Sequence, residues 1–85
     1  MVVSSLAYNS ARPDLVVMAV TSQIRAIPDY RETAVTDWAR AGLLKPSVIK
    51  PVFATLEQQL VLRILGRLGN ADTLSLRASI SEILG

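Results

Sequence analysis

The chain contains neither cysteine nor histidine. Disulfides, thiolate nucleophiles, imidazole bases and zinc sites built from those ligands are therefore excluded. Aromatic residues are scarce, with one Trp, two Tyr and one Phe, so the core must be mainly aliphatic. Long apolar runs are also missing. The longest, such as Leu15 to Val20 and Leu60 to Leu65, are too short or too interrupted to span a bilayer. The start, Met1-Val2-Val3-Ser4-Ser5, has no early basic residue and no apolar stretch before a small-residue cleavage site. It does not read as a secretory signal, and a cytoplasmic location is expected.

What is present is enough apolar material to fold. Of 85 residues, 51% are hydrophobic, which marks a globular chain and argues against disorder. A chain of this length makes one domain, residues 1–85, near the size where a single core is marginal without a staple or a partner subunit. A homodimer is expected on that ground. The net charge of +2 is mild but compatible with a polyanionic partner.

The order of elements can be read from residue patterns. Val2 and Val3 form a strand stub, followed by a loop or single helical turn up to Arg12. Asp14 to Thr21 is rich in β-branched residues and reads as a strand buried on both faces. Ser22 to Glu32 mixes arginines with Pro28, Asp29 and Tyr30 and reads as an exposed loop. Thr33 to Trp38 suits a short strand paired antiparallel to its neighbour, with Trp38 closing one end of the core. Ala39 to Gly42 makes a turn in which the glycine takes positive φ. Lys45 to Thr55 is extended, with Pro51 marking an edge or a bulge. A helical turn at Glu57 to Gln59 and a strand from Leu60 to Leu68 follow, although the same apolar spacing also fits a helix. The last segment is a helix, with Asn70 as N-cap, Asp72 in the first turn and an apolar stripe of Leu76, Ile80, Ile83 and Leu84. Trp38, Phe53 and Met18 are expected in the core. Strands followed by one helix imply an α+β chain with an antiparallel sheet.

Three stretches in order carry a family resemblance: Thr21-Ser22-Gln23 closing a strand, Gly42-Leu43-Leu44-Lys45-Pro46-Ser47-Val48, and Leu65-Gly66-Arg67-Leu68 ahead of the final helix. Together they resemble the MazF/PemK family of type II toxin-antitoxin endoribonuclease toxins, over nearly the whole chain. The resemblance implies an SH3-like small β-barrel of the MazF/PemK/CcdB kind with a C-terminal helix, a homodimer, an antitoxin protein that blocks the site, and metal-independent cleavage of single-stranded RNA with no cofactor. The family usually opens with an additional strand and an Arg-Pro pair ahead of the segment that Met1-Val2-Val3-Ser4 resembles. That arginine, which the family uses in catalysis, has no aligned counterpart here. Arg12-Pro13 repeats the dipeptide but lies after the second strand. The resemblance thus suggests a member lacking the usual N-terminal segment, with little or no ribonuclease activity in this chain alone.

Metal-free RNA cleavage needs the ribose 2′-hydroxyl deprotonated, the phosphate charge neutralised and the leaving oxygen protonated. Without histidine, these tasks fall to Arg, Lys, Thr and carboxylates. By resemblance, Thr21 is the catalytic or phosphate-contacting residue, with Ser22 and Gln23 beside it as hydrogen-bonding RNA contacts. The structural alternative is that these side chains satisfy backbone groups at a strand end. Arg25 and Arg31 bracket a loop containing Tyr30, a combination able to hold phosphates and stack a base, or else to be solvated loop charge. Lys50 is an RNA-binding candidate near the same surface, or else a charge that protects a strand edge. Arg63 and Arg67 are assigned no function. The leading function is an mRNA interferase toxin. The alternative is a catalytically inactive family member that acts as an antitoxin- or RNA-binding dimer module, and a third is a small structural domain unrelated to the family.

Overall fold

The computed structural model describes residues 1–25, 31–61 and 63–85. Its elements are helix α1 (Leu6–Ala11), strands β1 (Asp14–Thr21), β2 (Thr33–Val35) and β3 (Ser47–Glu57), a 3-10 turn (Gln58–Leu60) and helix α2 (Asn70–Leu84). The strands form an antiparallel sheet in the order β1-β3-β2, so the architecture is α+β with a C-terminal helix.

Local chemistry explains the boundaries. Ser5 caps α1 by accepting a hydrogen bond from the Tyr8 N–H, and Pro13 follows the helix, where its ring cannot continue it. The β-branched run from Val16 to Val20 then forms β1 as expected. Before α1, residues 1–4 run beside β1: Met18 N–H donates to the Met1 carbonyl (2.8 Å) and Val3 N–H to the Val16 carbonyl (2.9 Å), with Val2 bridging Val17. β1 is not buried on both faces throughout. Leu15 and Met18, which point to opposite faces, are buried while Ala19 is exposed, so burial on both faces holds for only part of the strand.

The expected bulge is present, and it lies in the central strand. Met18 pairs with Phe53 and Val20 with Ile49, so Lys50, Pro51 and Val52 together face Ala19. Proline lacks the N–H a central ladder needs, and a bulge is where a central strand tolerates it. β2 is shorter than the run Thr33 to Trp38 suggested. The backbone N–H groups of Thr36 and Asp37 donate to the Asp72 carboxylate (3.0 and 2.9 Å) and not to a neighbouring strand, and the chain then turns. Gly42 ends that turn with φ of 84°.

The strand expected from Leu60 to Leu68 does not form; residues 61 and 63–69 have no regular secondary structure. This segment crosses over the earlier turn at backbone contact. A Cβ on Gly42 would lie 2.1 Å from the Leu65 carbonyl oxygen, and one on Gly66 would lie 2.6 Å from the Ala41 carbonyl oxygen. Two glycines permit a crossing that any side chain would block. Its apolar alternation therefore has no sheet to face, and Leu60, Val61, Ile64 and Leu65 are exposed.

α2 starts one residue before the expected cap: Gly69 is the N-cap, in extended conformation, and Asn70 opens the helix. Thr73 reinforces this end by donating its hydroxyl to the Gly69 carbonyl (3.0 Å). Leu76 is buried and Ile80 partly so, against Met18, Val35, Ala41 and Ile49. Trp38 packs on this cluster, as expected of a residue closing its end. Met18 is core, with 2% of its surface exposed; Phe53, also expected there, is 37% exposed. It lies beyond the bulge, beside an apolar groove shared with Val3, Tyr8, Val16, Ile80 and Leu84.

Candidate nucleic-acid interface

Strand pairing decides which candidate residues can act together, because directly opposed residues share a face of the sheet. Val20, Ile49 and Thr33 lie abreast across the three strands, and one step along lie Thr21, Val48 and Ala34. The first row faces α2, as the buried hydrogen bond from the Thr33 hydroxyl to Ser79 Oγ (2.9 Å) shows. The second row faces away. Thr21 therefore stands on the outer face, at the end of β1.

Lys50 follows Val48 by two residues and shares that outer face. Its Nζ lies 3.7 Å from Glu32 Oε2, the residue just ahead of β2 and opposite Lys50 by continuation of the β2–β3 register. The Glu32 side chain is only 4% exposed, that of Lys50 29%. A carboxylate so shielded needs a cation or donors at hand. Sequence reasoning missed Glu32, since nothing in a linear sequence pairs residue 32 with residue 50 until the register is known.

Beyond Thr21 the chain turns sharply. Gln23 N–H donates to Thr21 Oγ1 at 3.1 Å, a local hydroxyl-to-backbone turn. The structural role considered for Thr21 is thus realised, yet the hydroxyl can still donate its own proton to an incoming oxygen. Ser22, Gln23 and Arg25 are exposed next to it. Arg31 goes elsewhere. It adopts φ of 61°, and its Nη2 reaches the Ala78 carbonyl of α2 at 3.4 Å, while its buried Nε has no hydrogen-bond partner. Arg31 is therefore directed to α2 and not to the surface that carries Thr21. Tyr30, the expected stacking residue, lies outside the described residues.

Arg12 is also remote. It sits at the opposite end of β1, where it forms an ion pair with Asp14 (3.0 Å) and lies 5.6 Å from the centre of the Tyr8 ring. The eight residues of β1 place that cluster about 23 Å from Thr21 at the usual strand rise. Although Arg12-Pro13 repeats the dipeptide of the family resemblance, this arginine cannot serve Thr21 within one chain.

On the helix-covered side, the notable polar group is Asp72, 2% exposed. Besides the two N–H groups already described, its Oδ1 accepts the Thr36 hydroxyl at 2.6 Å. Burial alone would raise its pKa; the hydrogen bonds from the Thr36 hydroxyl and the Asp37 and Thr36 N–H groups outweigh it, so the carboxyl is held below its ordinary value. This aspartate fastens α2 to the turn after β2 and takes no part in the outer face.

No protein-family model and no curated protein matches the chain. Solved structures do. The Mycobacterium tuberculosis toxin MazF-mt6 superposes with a TM-score of 0.82 at 20% identity, over 99% of this chain and 82% of that one. A crystal structure of an Mtb toxin gives 0.80 at 20% identity, over 96% of this chain and 87% of that one. At such identity the likeness establishes the fold, which is that of these toxins.

Proposed function

We propose that this chain is the toxin of a type II toxin-antitoxin pair, a MazF/PemK-type endoribonuclease acting on single-stranded RNA without a metal ion. The observation that carries the reading is the fold likeness to two toxin structures over essentially the full chain. The motif order around Thr21 and the shared outer face of Thr21 and Lys50 support it. In this reading the three strands form part of the SH3-like barrel expected of the family.

The chemistry follows from what RNA itself supplies. The 2′-hydroxyl oxygen attacks the adjacent phosphorus as its proton leaves, the bond to the 5′-oxygen breaks, and that oxygen is protonated; the products are a 2′,3′-cyclic phosphate and a 5′-hydroxyl. Thr21 donates a hydrogen bond to a non-bridging phosphate oxygen, and Lys50 stands on the same face to offset charge that grows in the transition state. Ser22, Gln23 and Arg25 border the strand end and contact the flanking nucleotides, with Arg31 as a further RNA contact reached from the α2 side.

Two partners complete the reading. An antitoxin would cover the outer face. A second copy would cover apolar surface left open here, where Leu44, Ile64 and Leu84 are 92%, 85% and 70% exposed. Incubation of the purified protein with unstructured RNA in the presence of a chelator tests the activity. At most slow release of fragments ending in cyclic phosphate is expected, because the family's Arg-Pro arginine has no counterpart in this chain; protein that neither cleaves nor binds unstructured RNA refutes the assignment.

A further inference from the structure

Lys50 faces outward with Thr21, but it does not face outward alone. The Glu32 carboxylate, almost wholly shielded from solvent, lies 3.7 Å from its ammonium. To a phosphate approaching this face, the Lys50 ammonium is already engaged by a carboxylate, and the low exposure of Glu32 limits how far water can screen the two from each other. The carboxylate cannot readily move away, because it is fixed one residue ahead of β2, whose Thr33 is hydrogen-bonded beneath α2. The ammonium sits on a flexible four-carbon stem and can swing outward.

We propose that Glu32 is a built-in competitor for the cation of this face: it holds Lys50 until a nucleic-acid phosphate draws the ammonium away, and so sets RNA affinity and its salt dependence. This rests on the reading of the outer face as an RNA surface. A lysine already neutralised within the protein contributes little to counterion release when a phosphate binds. Removing the carboxylate charge should restore that contribution.

The test uses a labelled single-stranded RNA oligonucleotide and fluorescence anisotropy over a range of salt concentrations, with the wild type, Glu32→Gln, Lys50→Met and the double variant. Glu32→Gln is expected to bind about fivefold tighter at low salt, with a salt slope steeper by about one charge, and the gain should vanish in the Lys50→Met background. Equal or weaker binding by Glu32→Gln overturns the inference while leaving the RNA reading intact, as does a gain that persists without Lys50. Absence of RNA binding in every variant overturns the RNA reading itself. If Glu32→Gln does not fold, the wild type still decides the matter, because the chain has only two lysines, Lys45 and Lys50. Saturating RNA should slow acylation of Lys50, read by mass spectrometry against the reaction in free protein. Unchanged Lys50 reactivity overturns the inference.

Discussion

The two faces of one small sheet use similar side chains for opposite ends. Under α2, the Thr33 hydroxyl donates to Ser79 and the Asp72 carboxylate gathers three donors from Thr36 and Asp37. On the other face, Thr21 accepts one backbone N–H and is partly exposed, and the partly exposed Lys50 lies against the shielded Glu32 carboxylate. Both sets are polar, and parity along the strands separates them. A threonine at position 33 closes the structure and a threonine at position 21 is left available, because successive residues point to opposite faces. If this division is real, substitutions on the helix side should act on stability and those on the outer side on RNA.

The strongest test of the helix side is Ile49→Ala. Ile49 has no exposed surface and lies in the middle of the cluster formed by Met18, Val35 and Leu76. Truncation in such a site costs about 3 kcal/mol, which lowers the melting temperature of a chain this size by roughly 15 °C. The RNA affinity of the fraction still folded should be unchanged. A large loss of affinity without loss of stability would merge the two faces and break the comparison.

Asp72→Asn comes next, and it has a pH signature. The folded-state pKa of Asp72 lies below its ordinary value, so protons bind it more weakly in the folded than in the unfolded chain. The stability it supplies is complete at neutral pH, above the unfolded value of about 3.9, and is lost as pH falls through the depressed folded value. The asparagine variant should melt lower than wild type by an amount worth about 2 kcal/mol at neutral pH, since it weakens the hydrogen bonds of a buried charged acceptor. That gap should narrow in strong acid. A gap independent of pH would mean that the charge on Asp72 is irrelevant to the anchoring of α2.

Sequence reading succeeds where local preference decides. The strand Asp14–Thr21, the bulge at Pro51, the positive φ of Gly42 and the C-terminal helix follow from local preferences that no tertiary contact opposes. The misses share a different cause. β2 stops at Val35 because Asp72, distant in sequence, takes the next two backbone donors. The segment after Leu60 is not a strand because Gly66 must pass over Gly42. In each case a long-range contact overrides a sound local pattern. The outer face is legible in the sequence as a list of residues but not as a geometry: the register shows that Thr21 and Lys50 share a face and that Glu32 opposes Lys50, while long-range contacts place Arg12 and Arg31 elsewhere.

The smallest effect on stability, and the sharpest test of the comparison, belongs to Thr21→Ala. The hydroxyl accepts a single exposed hydrogen bond from Gln23 N–H, and water can replace an acceptor lost at the surface. A change within about 0.5 kcal/mol is expected, visible as a shift of no more than a few degrees in melting. RNA cleavage should respond differently. A neutral hydroxyl positioned on a phosphate oxygen donates a hydrogen bond that strengthens as negative charge builds there, so its removal should lower the cleavage rate by about tenfold or more. Binding should change little, since a neutral contact adds nothing to counterion release. Thr21→Ser should retain most of the rate, because it keeps the donor and drops only the methyl group. Rates that fall equally for Ala and Ser would point to the methyl packing, and hence to the shape of the turn, as the source of the effect. A rate unchanged by alanine would leave Thr21 as the strand terminator that its hydrogen bond to Gln23 already makes it, and would shift the phosphate-binding role to Lys50 and Arg25.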